Sequence, residues 1–153
     1  VRSLVIGLKY HHGLHLLADC AALFRGASDL LAHVRGARLV PVPLHPRKRR
    51  ERGYNQSALL AAELAREAGG ETSVAPLLER HLDTPTQTAF DRERRLANLQ
   101  NAFALAPGAP LRSVSRYVLV DDVFTTGSTV NACARVLRAA GADHVDVATL
   151  AHG

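Results

Sequence analysis

The chain has 153 residues, of which 47% are hydrophobic and 22% charged, a composition suited to one folded domain with a single substantial core and unlike that of a disordered or fibrous chain. No apolar run approaches the ~20 residues that a membrane-spanning helix needs, and the first ten residues lack the long apolar stretch of a secretion signal, so no membrane insertion and a cytoplasmic setting are expected. A formal charge of +5 favours an anionic partner without separating a nucleic acid from a polyphosphate metabolite.

The chain begins with valine and contains no methionine, which reads as a trimmed or processed piece. Residues 14–34 carry leucine and alanine at helical spacing, interrupted at Gly26, Ala27 and Ser28, and predict one broken helix or two short ones. Cys20 lies in this stretch and Cys133 in a later apolar, helix-like one; both are expected as buried, reduced thiols rather than a disulfide or zinc ligands. The short β-branched run LVPVP at residues 39–43 predicts a buried strand running out into a very basic loop, HPRKRRERGYNQ. Residues 57–68 predict an amphipathic helix with Ser57 as N-cap and Gly69–Gly70 as its stop. A further strand is expected near residues 74–78, followed by a polar, arginine-rich segment whose length suits a lid or binding loop.

The apolar run at residues 117–120 predicts another strand, residues 130–140 a helix ended by Gly141, and HVDVAT at residues 144–149 a last alternating strand. Strands separated by helices predict an open, mainly parallel α/β sheet in a single domain. In such sheets ligands gather at the carboxyl ends of strands, where VLVDDVFTTGST places Asp121 and Asp122. The loop Thr125, Thr126, Gly127, Ser128, Thr129 then opens a helix, whose backbone N–H groups and positive end suit a phosphate monoester. Carboxylates do not suit that phosphate; vicinal hydroxyls or a hydrated Mg²⁺ are their better partners, and a phosphorylated sugar offers both chemistries. There is neither a GxxxxGK[ST] nor a GxGxxG after a strand, which argues against the common nucleotide sites.

Residues 118–129 resemble the binding motif for 5-phosphoribosyl-1-pyrophosphate (PRPP) of type I phosphoribosyltransferases: an apolar strand, two acids and a threonine- and glycine-rich loop. The resemblance implies that fold, with a small hood over roughly residues 80–104. It implies that Asp121 and Asp122 hold the ribose hydroxyls directly or through Mg²⁺, and that Thr125 to Thr129 hold the 5-phosphate. A second anion site for pyrophosphate is expected on another strand end, where Arg47, Arg52 and Gly53 are the candidates, and Lys48, Arg49 and Arg50 are expected to form a solvated face. The strings VPVPLHPRKRRERGYNQS and TPTQTAFDRERRLANLQNAF are similar to those of the competence protein F (ComF, or GntX-like) branch, as GLKYHHG is more loosely. Arg92 and Arg95 are then expected to close over the pyrophosphate. That branch commonly carries a four-cysteine zinc ribbon ahead of this domain, and no such ribbon is found in the sequence.

The implied reaction is Mg²⁺-dependent transfer of phosphoribose to a nitrogen acceptor with release of pyrophosphate. The acceptor, a nucleobase or amine, is not legible, and neither Glu93 nor any histidine is marked as a general base. The rival expectation is a non-catalytic role in DNA uptake, with the basic segments contacting DNA or a helicase-like partner; a second copy of the chain is a further expected partner. Only Tyr54 interleaves the basic run, which weakens recognition of single strands by stacking.

Overall fold

A computed structural model describes residues 2–10, 13–81, 101–112 and 116–153. The elements in chain order are helix α1 (Arg2–Tyr10), a 3₁₀ turn (Gly13–Leu16), α2 (Leu17–Gly26), α3 (Ser28–Val34), strand β1 (Arg38–Pro41), α4 (Pro46–Arg52) and α5 (Gln56–Ala68). They continue with β2 (Ser73–Val74), β3 (Leu78–Arg80), β4 (Phe103–Leu105), β5 (Arg116–Phe124), α6 (Ser128–Ala139) and β6 (His144–His152). The helix expected over residues 14–34 is broken at Ala27.

Four strands form one parallel sheet in the order β2-β1-β5-β6. Its central strands are apolar without alternation because helices cover both faces. On one face Val40, Tyr117 and Leu119 pack with Val130, Cys133 and Leu137 of α6. On the other, Leu39, Val118 and Val120 pack with Leu60 and Leu64 of α5 and with Leu8, Cys20, Phe24 and Val34 from the N-terminal helices. Both cysteines are free and buried, as expected.

Three local readings change. The stretch expected as one strand over residues 74–78 is split: Ser73–Val74 joins the edge of β1, while Leu78–Arg80 pairs antiparallel with Phe103–Leu105 in a separate two-stranded ladder. Pro76 lies between them and has no N–H to continue the ladder. The basic stretch expected as a loop contains helix α4. Pro46 opens it, His45 Nδ1 accepts from Arg47 N at 3.3 Å, and Gly53 closes it at φ 85° with its N–H on the Arg49 carbonyl. The N-cap of α5 is Asn55 rather than Ser57: its side-chain oxygen accepts from Ser57 N at 3.1 Å, freeing the serine hydroxyl for another partner.

The β3–β4 ladder closes the neck of the segment expected to act as a hood, and the interior of that segment, residues 82–100, lies outside the described residues. At the other end of the chain α1 meets the 3₁₀ turn backbone to backbone: a Cβ on Gly13 would sit 2.6 Å from the Gly7 carbonyl oxygen. Gly13→Ala is therefore expected to cost about 1–3 kcal/mol of stability through overpacking, read as a lowered denaturant midpoint at unchanged slope.

Candidate functional site

β1 ends at Pro41, which pairs with Val120, so Asp121 and Asp122 are the first residues of β5 beyond the end of that neighbour. They do not leave the strand, as the sequence suggests. β5 stays paired with β6 through Asp121↔Thr149, Val123↔Ala151 and Phe124↔His152. Consecutive strand residues point to opposite faces, so the two acids diverge.

Asp122 turns to the face of α1 and α5 and is only 4% exposed. Its Oδ2 accepts from Gln56 Nε2 at 3.2 Å and lies 3.1 Å from Lys9 Nζ. Gln56 Oε1 in turn accepts from Arg52 Nη1. Asp121 borders the start of α6, and its Oδ1 is reached from the first turn of α5: it accepts from Ser57 Oγ and from the Asp122 backbone N–H, both at 2.9 Å. Among the described residues, the buried polar side chains are Gln56, Ser57 and Asp122, all members of this network. The segment that supplies it is fixed twice more, by Asn55 Nδ2 on the Val42 carbonyl at 3.0 Å and by Tyr54 Oη on the Leu8 carbonyl at 2.6 Å.

Asp121 also borders a small cup of about 30 Å³ shared with Thr125, Gly127, Ser128 and Thr129. Gly127 is the N-cap of α6 at φ 74°, and a Cβ there would come within 2.9 Å of the Phe124 ring. Both facts demand glycine. Thr126 Oγ1 and Ser128 Oγ lie 2.9 Å apart, and the first-turn amides of α6 have no carbonyl acceptors within the helix. A half-buried carboxylate and a hydroxyl-lined helix N-terminus thus meet at one point, as the sequence suggests.

The basic segment sorts differently from expectation. Arg47 is exposed and its Nε donates to Glu51 at 3.0 Å, while Arg52 is engaged with Gln56; Gly53 closes α4 in a left-handed conformation and also lines a neighbouring cleft. Arg49 and Arg50, expected to be merely solvated, line the same cleft, of about 560 Å³, with Pro43, Leu44, Arg80 and His81. Neither acid lines that cleft. Arg92 and Arg95 lie outside the described residues. Lys9, Gln56 and Ser57 are site residues that the sequence did not reveal in these roles; the available signal was a Gln-Ser pair opening an otherwise apolar helix.

The divergence of the acids also bears on metal binding. Among the described residues no three His, Cys, Asp or Glu side chains converge, and Asp122 Oδ2 is taken by Lys9 and Gln56. Asp121 alone fits a Mg²⁺ ion, which ordinarily takes one or two carboxylates together with substrate phosphates. Cys133 beneath it is inert, since burial and then the charge of Asp121 push its thiol up to about 12.

Burial, then the charge of Asp122, raise the Asp121 carboxyl from 3.8 to about 6, against the opposing pull of the Asp122 N–H, the Ser57 hydroxyl and Lys9. The unfolded chain therefore releases this proton first. Its stabilising contribution is complete below about pH 4, is lost as pH rises to about 6 and stays lost above, on the order of 2–3 kcal/mol. Asn at this position keeps an acceptor for Ser57 and drops the charge. Asp121→Asn is expected to be more stable than the parent by about 1–3 kcal/mol at pH 8 and equal to it near pH 4, by urea denaturation across that range.

Residues 55–153 match the phosphoribosyl transferase domain family. The chain is 38% identical over 113 residues to competence protein F of Haemophilus influenzae, covering 74% of this chain and 49% of that protein. It is 41% identical over 110 residues to the DNA utilization protein YhgH of Salmonella typhi, covering 72% and 47%. The chain thus spans about half the length of these curated relatives. In structure it is similar to a hypoxanthine phosphoribosyltransferase from Staphylococcus aureus at 14% identity and a TM-score of 0.55, over 89% of this chain and 64% of that one. The expected type I phosphoribosyltransferase fold is therefore the observed one, and the relatives lie in the ComF branch.

Proposed function

We propose that this chain, which belongs to the phosphoribosyl transferase domain family, binds PRPP and transfers its phosphoribosyl group to a nitrogen acceptor. The observation that supports this most is the meeting of Asp121 with the first turn of α6 in one cup. The amides and hydroxyls of residues 125–129 receive the 5-phosphate, and Asp121 accepts from the ribose hydroxyls on the adjoining side.

In the reaction a nitrogen lone pair attacks ribose C1 and the bond from C1 to the pyrophosphate oxygen breaks, its electron pair leaving with pyrophosphate. Positive charge builds on the ribose, where the fixed carboxylate of Asp121 stabilises it. Ser57 and the Asp122 N–H hold that carboxylate in place beforehand, so it needs no reorganisation. A Mg²⁺ ion held by Asp121 and the donor's own oxygens would supply charge neutralisation on the pyrophosphate. Arg49 and Arg50, with Arg92 and Arg95 of the hood segment, are the cations proposed to assist it. PRPP with Mg²⁺ at about 100 times its Kd is expected to raise the melting temperature by about 5–10 °C. The double variant Asp121→Asn, Asp122→Asn should show no rise; an unchanged rise would remove the assignment.

A second reading rests on α4. This seven-residue helix buries none of its side chains, and Lys48, Arg49 and Arg50 have no hydrogen-bond or ion-pair partner among the described residues. Such a face suits phosphates of a nucleic acid, in keeping with the names of the relatives, competence protein F and DNA utilization protein. Affinity for DNA is then expected to fall steeply with salt, and replacing these three side chains by Gln should lower the slope of log affinity against log salt by about 2–3. Absence of DNA binding at low salt excludes this reading.

A further inference from the structure

The segment GLKYHHG has no task in the phosphate cup, yet its lysine reaches the centre of the site. Lys9 Nζ is 3.1 Å from Asp122 Oδ2, and the two side chains are 28% and 6% exposed. Asp122 is too buried to carry its charge without a partner, and Gln56 alone provides only a neutral donor. Lys9 is held to this position from two sides. The contact of Gly7 with Gly13 sets α1 against the 3₁₀ turn, and Tyr54 Oη binds the Leu8 carbonyl, one residue from Lys9.

Tyr54 and Gln56 belong to the segment that also delivers Ser57 to Asp121. The two acids share a peptide unit, since the Asp122 N–H donates to Asp121 Oδ1. A displaced Asp122 carboxylate would therefore move the group that aims Asp121. We propose that Lys9 is a positioning residue of the sugar site: as a built-in counter-cation it fixes Asp122 on the α1 face, leaving Asp121 alone to face the phosphorylated donor. This rests on the proposed PRPP binding. It assigns Lys9 no contact with the donor, so its effect must pass through Asp122.

A double-mutant cycle on PRPP affinity, by calorimetry with saturating Mg²⁺, tests this. Lys9→Met is expected to weaken binding about tenfold or more, and Lys9→Arg to recover most of the loss. In an Asp122→Asn background, where no charge needs compensation, Lys9→Met should change affinity by less than about twofold. The double variant is neutral at both positions, so it keeps the comparison open if Lys9→Met alone unfolds. Equal losses in both backgrounds would mean that Lys9 acts on the donor itself or on general stability, and would overturn the proposal. So would full affinity in Lys9→Met while the parent binds. A parent that binds no PRPP overturns the functional reading as well, and is told apart by that first titration.

Discussion

The alternation of side chains along β5 governs the rest of the site. Two acids adjacent in sequence read as a natural chelating pair, but on an extended strand they must face opposite sides of the sheet. Because β5 remains paired with β6 past both acids, that rule still applies where the chain leaves the cover of β1. Asp121 goes to the start of α6 and the anion cup, Asp122 to the α1 and α5 face and the lysine. In the proposed function one strand thereby offers one carboxylate to the donor, while the other is engaged by the protein itself.

Each carboxylate poses a different energetic problem. Asp122 is buried, and its charge is tolerable because an ammonium and an amide meet the same oxygen. Asp121 is also largely withdrawn from water, but its direct partners are a hydroxyl and a backbone amide, and its neighbour repels it. Its proton is consequently held to about pH 6. An acid that costs stability in the absence of a ligand is what a preorganised site requires, since the group already stands where the ligand needs it. Of its two partners, Asp122 N–H belongs to β5 itself and Ser57 to the first turn of α5, an element seated on the core through Leu60 and Leu64.

Much of this was legible in the sequence wherever one strong local pattern decided the outcome. The β5 run, the turn at Gly127 and the start of α6 each have a sterically narrow cause. The parallel sheet followed from strands separated by helices, and the phosphoribosyltransferase fold from the motif. What escaped detection depended on competition between nearby groups. Ser57 is a plausible N-cap by residue type, but Asn55 takes that task, and only then is the serine hydroxyl available to Asp121. A strand across residues 74–78 failed because Pro76 cannot continue the ladder. The basic segment looked like loop because its charge masked its caps; its arginines were sorted by type, whereas Glu51 and Gln56 decide which of them are engaged. Lys9 lies over a hundred residues from Asp122, and no local pattern foretells that pairing.

The two proposed readings differ at Asp121 and the cup but share Arg49 and Arg50 of α4. A helix of seven residues with no buried face has little stability of its own and owes its form to its caps and to its attachment to α5. Its inner end is tied in through Arg52, which binds Gln56 and through it Asp122. Arg49 and Arg50 are exposed and Lys48 is half-buried beside them. Gln56 and Ser57 meet the two acids, while the cationic face lies upstream on α4. In the proposed PRPP complex Arg49 and Arg50 serve the pyrophosphate, so a longer polyanion that uses the same two arginines competes with the donor. Neutralising Lys48, Arg49 and Arg50 nevertheless removes none of the hydrogen bonds that aim Asp121.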